Sequence, residues 1–217
     1  MKKLLSIILL VALVFPFTLE AQELIPEEKS EKSDNATFFY LIPQFAIING
    51  YRFDIERTYN QGQKAVVIAP HFYVRSKKDN QDYYSGNNNY NSLVGIGLNV
   101  DYKHYLSEKQ MSYISVGGGY HYFNSKHDGE AWIENGDELI IVTGEHTQVT
   151  NRLNVNTLLG FNMEISDYIY ADIYTGMGLK YSMIDSDMSQ TYFDEYMWEY
   201  SYSGITYIIG VKIGVKL

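Results

Sequence analysis

From Ser203 to the last residue the chain alternates between apolar and polar positions. Ile205, Tyr207, Ile209, Val211, Ile213, Val215 and Leu217 occupy the odd positions; Thr206, Gly210, Lys212, Gly214 and Lys216 lie between them. Successive strand side chains point to opposite faces, so one face of this strand is apolar and the other carries lysine and glycine. A soluble sheet keeps its charges outside, whereas a membrane barrel turns apolar groups to lipid and polar groups to the lumen.

The same period predicts seven earlier strands. The first is Thr37 to Ile48, with Phe39, Leu41, Pro43, Phe45 and Ile47 on one face. The second, Tyr51 to Tyr59, sets Tyr51, Phe53 and Ile55 against Arg52, Asp54 and Glu56. The third, Lys64 to Arg75, sets Val66, Ile68, Pro70, Phe72 and Val74 against His71, Tyr73 and Arg75. Proline removes a ladder donor, so Pro43 and Pro70 predict bulges or weak pairing early in the sheet. The fourth, Leu93 to Leu106, places Val94, Ile96, Leu98, Val100 and Tyr102 outward and Gly95, Gly97, Asn99, Asp101 and Lys103 inward. The fifth, Met111 to Phe123, turns Ile114, Val116, Tyr120 and Tyr122 outward and Ser115, Gly117, Gly119 and His121 inward. The sixth runs from Arg152 to Ile165 and the seventh from Tyr168 to Met183, and Ser203 onward closes the set. These runs predict an all-β, eight-stranded antiparallel up-and-down transmembrane barrel.

Connections alternate in length. Residues 60–63, 107–110 and 166–167 are short turns, and 76–92, 124–151 and 184–204 are long loops. Short turns on one rim and long loops on the other follow the bacterial outer-membrane pattern. Asn49-Gly50 reads as an unusually short first external loop. Within the third long loop, Asn135-Gly136 between Trp132 and Val142 is a hairpin signal. It predicts an extension of strands five and six above the lipid, with a ten-stranded barrel as the alternative.

The N-terminus begins Met1-Lys2-Lys3, continues through an apolar run to Phe17 and reaches Ala21. That order predicts a signal peptide over residues 1–21. Residues 22–36 are polar and acidic and read as a disordered linker, leaving 37–217 as the barrel domain. The chain has no cysteine, so disulfides contribute nothing. No later segment approaches the roughly 20 apolar residues of a membrane-crossing helix. Tyrosine and glycine are abundant, with 21 and 17 residues, which suits a barrel with aromatic girdles. A net charge of −9 argues against nucleic acid.

With this alternation, loop asymmetry and closing strand, residues 37–217 resemble the small eight-stranded outer-membrane barrels of the OmpA/OmpX type. Members usually finish on an aromatic residue, where this chain has Leu217. The resemblance implies this fold and location in the cell outer membrane; the expected partners are outer-membrane lipid and the barrel assembly machinery, and the expected state is a monomer. The resemblance implies no single activity.

Two groups of residues are candidate sites. The first is an inward charge network of Arg52, Asp54, Glu56, Asp101, Lys103, Arg152, Glu164, Asp172, Lys180, Lys212 and Lys216. An eight-stranded barrel is only wide enough for side chains to fill it, so these charges are expected to pair. Inward glycines keep a narrow solute pore open as an alternative. The second is the set of loop aromatics Tyr83, Tyr84, Tyr90, Trp132, Tyr192, Phe193, Tyr196, Trp198, Tyr200 and Tyr202. Tyrosine among Ser, Gly and Asn is suited to recognising a glycan or protein. The five histidines assemble neither a metal site nor a triad, and Asp185-Ser-Asp187 reads as a solvated turn. The expected role is therefore structural or surface-interacting, with no enzyme activity, cofactor or metal. Two further alternatives remain: a membrane-embedded lipid-modifying enzyme, and an exported lipocalin-like barrel with reversed facing, where Val100, Leu179 and Val211 would line a cavity for a hydrophobic ligand.

Overall fold

Eight antiparallel strands, each bonded to its neighbours in chain order, close into a ring. The computed structural model describes residues 35–48, 50–76, 90–107, 111–135, 138–186 and 197–217. The strands are β1 (Thr37–Leu41), β2 (Gly50–Tyr59), β3 (Lys64–Ser76), β4 (Tyr90–Tyr105), β5 (Ser112–Asn135), β6 (Glu138–Ser166), β7 (Ile169–Ser186) and β8 (Gly204–Lys216). The predicted signal peptide and most of the acidic linker lie outside the described residues. Ala36, assigned to that linker, is instead buried at the barrel base, where its N–H donates to Thr58 Oγ1 at 2.6 Å.

Facing follows the alternation. Val100, Leu179 and Val211 are exposed on the outer face, while Lys103 and Lys212 are 1% and 2% exposed inside. The reversed, lipocalin-like facing is thus not the one observed. Arg52, Lys103 and Lys212 meet carboxylates inside the ring, which offsets the cost of burying them.

The largest departure from the sequence reading is at the first run. The strand stops at Leu41, and Pro43–Ile48 forms a short 3-10 helix. Proline has no N–H and a φ suited to a first helical turn, so Pro43 ends the ladder and begins the helix. The alternation of Phe45 and Ile47 does not describe a strand face. A helix therefore occupies the place of the short Asn49-Gly50 turn, of which Asn49 lies outside the described residues.

Pro70 stays within β3 without a bulge. Pairing of β3 with β2 runs in one register from Gly50↔Tyr73 to Tyr59↔Lys64 but skips Phe53 and Asp54, opposite Pro70 and Ala69. The ladder to β4 continues through Pro70↔Leu98. The missing donor thus interrupts one flank only.

At the β2–β3 turn, Asn60, Gln61 and Gly62 have φ of 55°, 57° and 79°. Three successive left-handed residues let Gln63 N–H bond Asn60 O at 3.2 Å. At the opposite rim β5 and β6 continue as one ribbon to Asn135↔Glu138. The expected extension is present, and the ring has eight strands rather than ten. Asp185, read from sequence as part of a solvated turn, lies within β7.

Candidate functional site

The barrel interior has two layers. The one nearer the short turns is a charge network. Lys103 Nζ, from β4, donates to Glu56 Oε2 of β2 at 2.6 Å and to Asp172 Oδ2 of β7 at 3.0 Å. Tyr113 OH donates to Asp172 Oδ1 at 2.7 Å, and Tyr105 OH donates to Glu56. The Lys103 ammonium also lies 4.0 Å from the Tyr113 ring centroid. A second cluster joins β8 to β2: Lys212 Nζ meets Asp54 Oδ2 at 2.5 Å, and Arg52 Nε meets Asp54 Oδ1 at 2.6 Å. Arg52 also lies 3.6 Å from Asp101, which accepts from Asn156 Nδ2 at 3.0 Å. Carboxylates, lysines and tyrosines are buried together here, with Tyr40 fully buried beside them, so this layer is a plug.

Seven of the eleven predicted network residues meet in this plug: Arg52, Asp54, Glu56, Asp101, Lys103, Asp172 and Lys212. Glu164 and Lys216 do not. Both keep inward parity but sit at the short-turn mouth, where they are exposed. A rim position leaves a charge hydrated, so no partner is required. Arg152 and Lys180 belong to the other layer.

That upper layer is a cavity of about 480 Å³ toward the long-loop end, walled by β2 to β8 and roofed by residues 197–200. Lys180 Nζ donates to Met197 O at 2.6 Å, and Arg152 Nη1 donates to Tyr200 O at 3.3 Å. Farther along, Gln148 Nε2 donates to Ser201 Oγ at 2.9 Å. These bonds draw the segment before β8 into the barrel mouth. Tyr200 is accordingly buried, its ring 5.8 Å from Tyr73 and 5.1 Å from Phe123. It is a roof residue rather than the outward-facing recognition residue expected. Trp198 lines the cavity and is half exposed, and Tyr202 OH donates to Ile205 O at 2.9 Å. Tyr83, Tyr84, Tyr192, Phe193 and Tyr196 lie outside the described residues. Tyr90 and Trp132 fall in β4 and β5, with side chains outside the description.

The sequence reading missed a pairing on the cavity wall. His71 and His121, fifty residues apart, have ring centroids 4.7 Å apart. Tyr73 OH lies 3.1 Å from His71 Nδ1 and 3.2 Å from His121 Nδ1. His121 Nε2 lies 2.9 Å from Asn99 Oδ1, an acceptor, so with Asn99 assigned this way Nε2 carries the proton. His121 Nδ1 then accepts from Tyr73, and His71 Nδ1–H donates to Tyr73. This leaves His71 Nε2 as a lone-pair acceptor, and it has no hydrogen-bond partner among the described residues. Inward parity of His71, Tyr73 and His121 was readable; their adjacency needed the β3–β4–β5 register.

Higher on β5, Ser125 Oγ lies 3.0 Å from His127 Nε2 and donates to Gln148 O at 3.2 Å. With its proton on that carbonyl, the hydroxyl accepts from the imidazole, the opposite of nucleophile activation.

Comparisons with family models, with curated proteins and with solved structures each return no match to this chain. The functional reading therefore rests on the barrel itself.

Proposed function

We propose that this chain is an outer-membrane barrel of the OmpA/OmpX type whose role is surface interaction at its long-loop end. The observation that carries the reading is the outer face. Exposed Ile68, Phe72, Ile96, Val100, Val155, Leu159, Leu179, Ile209 and Ile213 lie around the ring, with charged side chains buried behind them. An apolar outer surface over a polar interior matches lipid outside and lumen inside. Closure leaves no free edge except where β1 ends early, as a lipid-embedded sheet requires.

The Lys103–Glu56–Asp172 plug favours a non-conducting barrel over a pore. The β5–β6 ribbon and the loop aromatics are then the parts that meet a glycan or protein outside the cell. Assembly machinery and outer-membrane lipid are the partners that this location entails.

The test is gel mobility of boiled against unboiled membrane fractions, followed by planar-bilayer recording. A band that migrates faster unboiled, fractionates with outer membranes and stays electrically silent is the expected result. Recovery as a soluble periplasmic protein without detergent would overturn the reading. Stable unitary conductance would replace surface interaction by a pore.

A further inference from the structure

The upper cavity borders a stretch of β8 that lacks a strand neighbour on one side. β8 pairs with β1 only from Leu41↔Ile213 to Phe38↔Lys216, whereas on its other flank β7 accompanies it up to Gly204. From Gly204 to Lys212, then, β8 has no strand partner on the β1 side among the described residues. The Pro43–Ile48 helix fills part of this gap. With its amide oriented to meet complementary partners, Gln44 donates to Val211 O at 2.8 Å and accepts from Val211 N–H at 3.3 Å. One side-chain amide thus replaces one residue of the missing strand. Beyond it, outward-facing Tyr207 and Ile209 line the same cavity as inward-facing Thr206 and Ile208. Four consecutive residues of the unpaired stretch thus border the cavity.

We propose that this cavity binds a membrane amphiphile with an anionic, hydroxyl-bearing head group, which enters sideways between β8 and the Pro43–Ile48 helix. The inference rests on the membrane location proposed above. Arg152 and Lys180 line the cavity together with Arg52, whose guanidinium Asp54 holds, and no carboxylate is among its described lining residues. The lone pair at His71 Nε2, on a side chain 2% exposed, calls for a donor such as a hydroxyl. At the passage, Ile209 is 80% exposed and Tyr207 66%, so the acyl chain finds apolar surface where the head leaves the lipid. The volume suits a head group and the start of a chain.

The chain has two tryptophans, Trp132 and Trp198, and Trp198 lines the cavity. A Trp132→Phe background makes its fluorescence the readout. The full chain is reconstituted in vesicles with brominated phosphatidylglycerol or with phosphatidylcholine bearing the same brominated chains. Saturable quenching by the glycerol lipid at a mole fraction about tenfold lower than for the choline lipid is expected, the scale of one charge-assisted hydrogen bond. Lys180→Met abolishes this preference and Lys180→Arg retains it. Thr206→Phe, which fills the cavity, abolishes saturation in a barrel that still shifts on boiling. Equal quenching by both lipids would overturn the proposal. Displacement by free glycerol phosphate at matching concentrations would assign the site to an aqueous ligand and overturn the lateral route. Heat-modifiability of the same samples reads the membrane reading separately: a barrel that embeds but shows no preference sinks this inference alone.

Discussion

Gly97 on β4 lies directly across from His121 on β5, and a Cβ at Gly97 would overlap the imidazole at Nδ1. The glycine is the space in which the histidine lies. The relation repeats down the same strand pair, where Gly95 faces Phe123, Gly117 faces Asp101 and Gly119 faces Asn99. Small and large inward residues alternate across these strands, which is how a narrow barrel holds rings and carboxylates at full packing.

Gly97→Val is expected to displace His121, separate it from Tyr73, and destabilise the barrel by about 1–3 kcal/mol. Gly144→Ala, where an added Cβ meets nothing within 4 Å, is the matched control. Urea unfolding in vesicles reads both. Equal midpoints for the two variants would show that the Gly97–His121 fit contributes nothing.

Lys103→Met leaves Glu56 and Asp172 buried against each other without their shared cation. A loss of about 3–5 kcal/mol is expected in the same assay. Adding Glu56→Gln and Asp172→Asn to Lys103→Met removes the stranded charge, and most of the loss should return. A triple variant no more stable than the single would argue that the lysine acts by packing alone.

Gln44→Leu leaves the Val211 N–H and C=O without their side-chain partner at the edge of β8. The cost is about 1–3 kcal/mol for orphaned polar groups, and it falls locally. Amide exchange at Val211 should accelerate while exchange in β4 stays unchanged. Slow exchange at Val211 in the variant would show that the Pro43–Ile48 helix holds that edge without Gln44.

Pairing of β4 with β5 ends at Tyr90↔His127, and that of β6 with β7 ends at Gln148↔Ser186. Past these points the β5–β6 ribbon has no further strand neighbour among the described residues, and a two-stranded hairpin is marginal in water. Protease added outside intact vesicles should cut within residues 128–147 first, and the nicked barrel should still shift on boiling. Deleting 129–144 should leave a folded barrel that no longer binds its surface partner. Loss of the heat shift on deletion would make the hairpin part of the barrel's own stability.

The strands were legible where side-chain parity alone decides the outcome. In β4, Val100 and Lys103 were assigned to opposite faces from the alternation, and they lie on opposite faces. Parity also placed Glu56, Lys103 and Asp172 inside, yet could not pair them, because the shear between distant strands is not written in any one strand. Pro43–Ile48 misled for a physical reason: Phe45 and Ile47 keep the two-residue spacing by chance, while Pro43 removes the donor that a strand would need. Tyr200 was unreadable because its position depends on Lys180 and Arg152 drawing loop carbonyls inward, a long-range effect that local composition does not carry. Glu164 and Lys216 had the right parity and the wrong height, which alternation does not measure.

β1 is five residues long and meets β8 over its last stretch only, while β6 runs for 29 residues between full-length neighbours. The ring thus has a clasp rather than a uniform wall. Its two halves lie some 175 positions apart along the chain, so the clasp demands the largest loop closure of any strand pair and is the natural last event of assembly. Under tension it is also the first to part, and a barrel pulled by its termini should open there as a curved sheet before any other strand peels away.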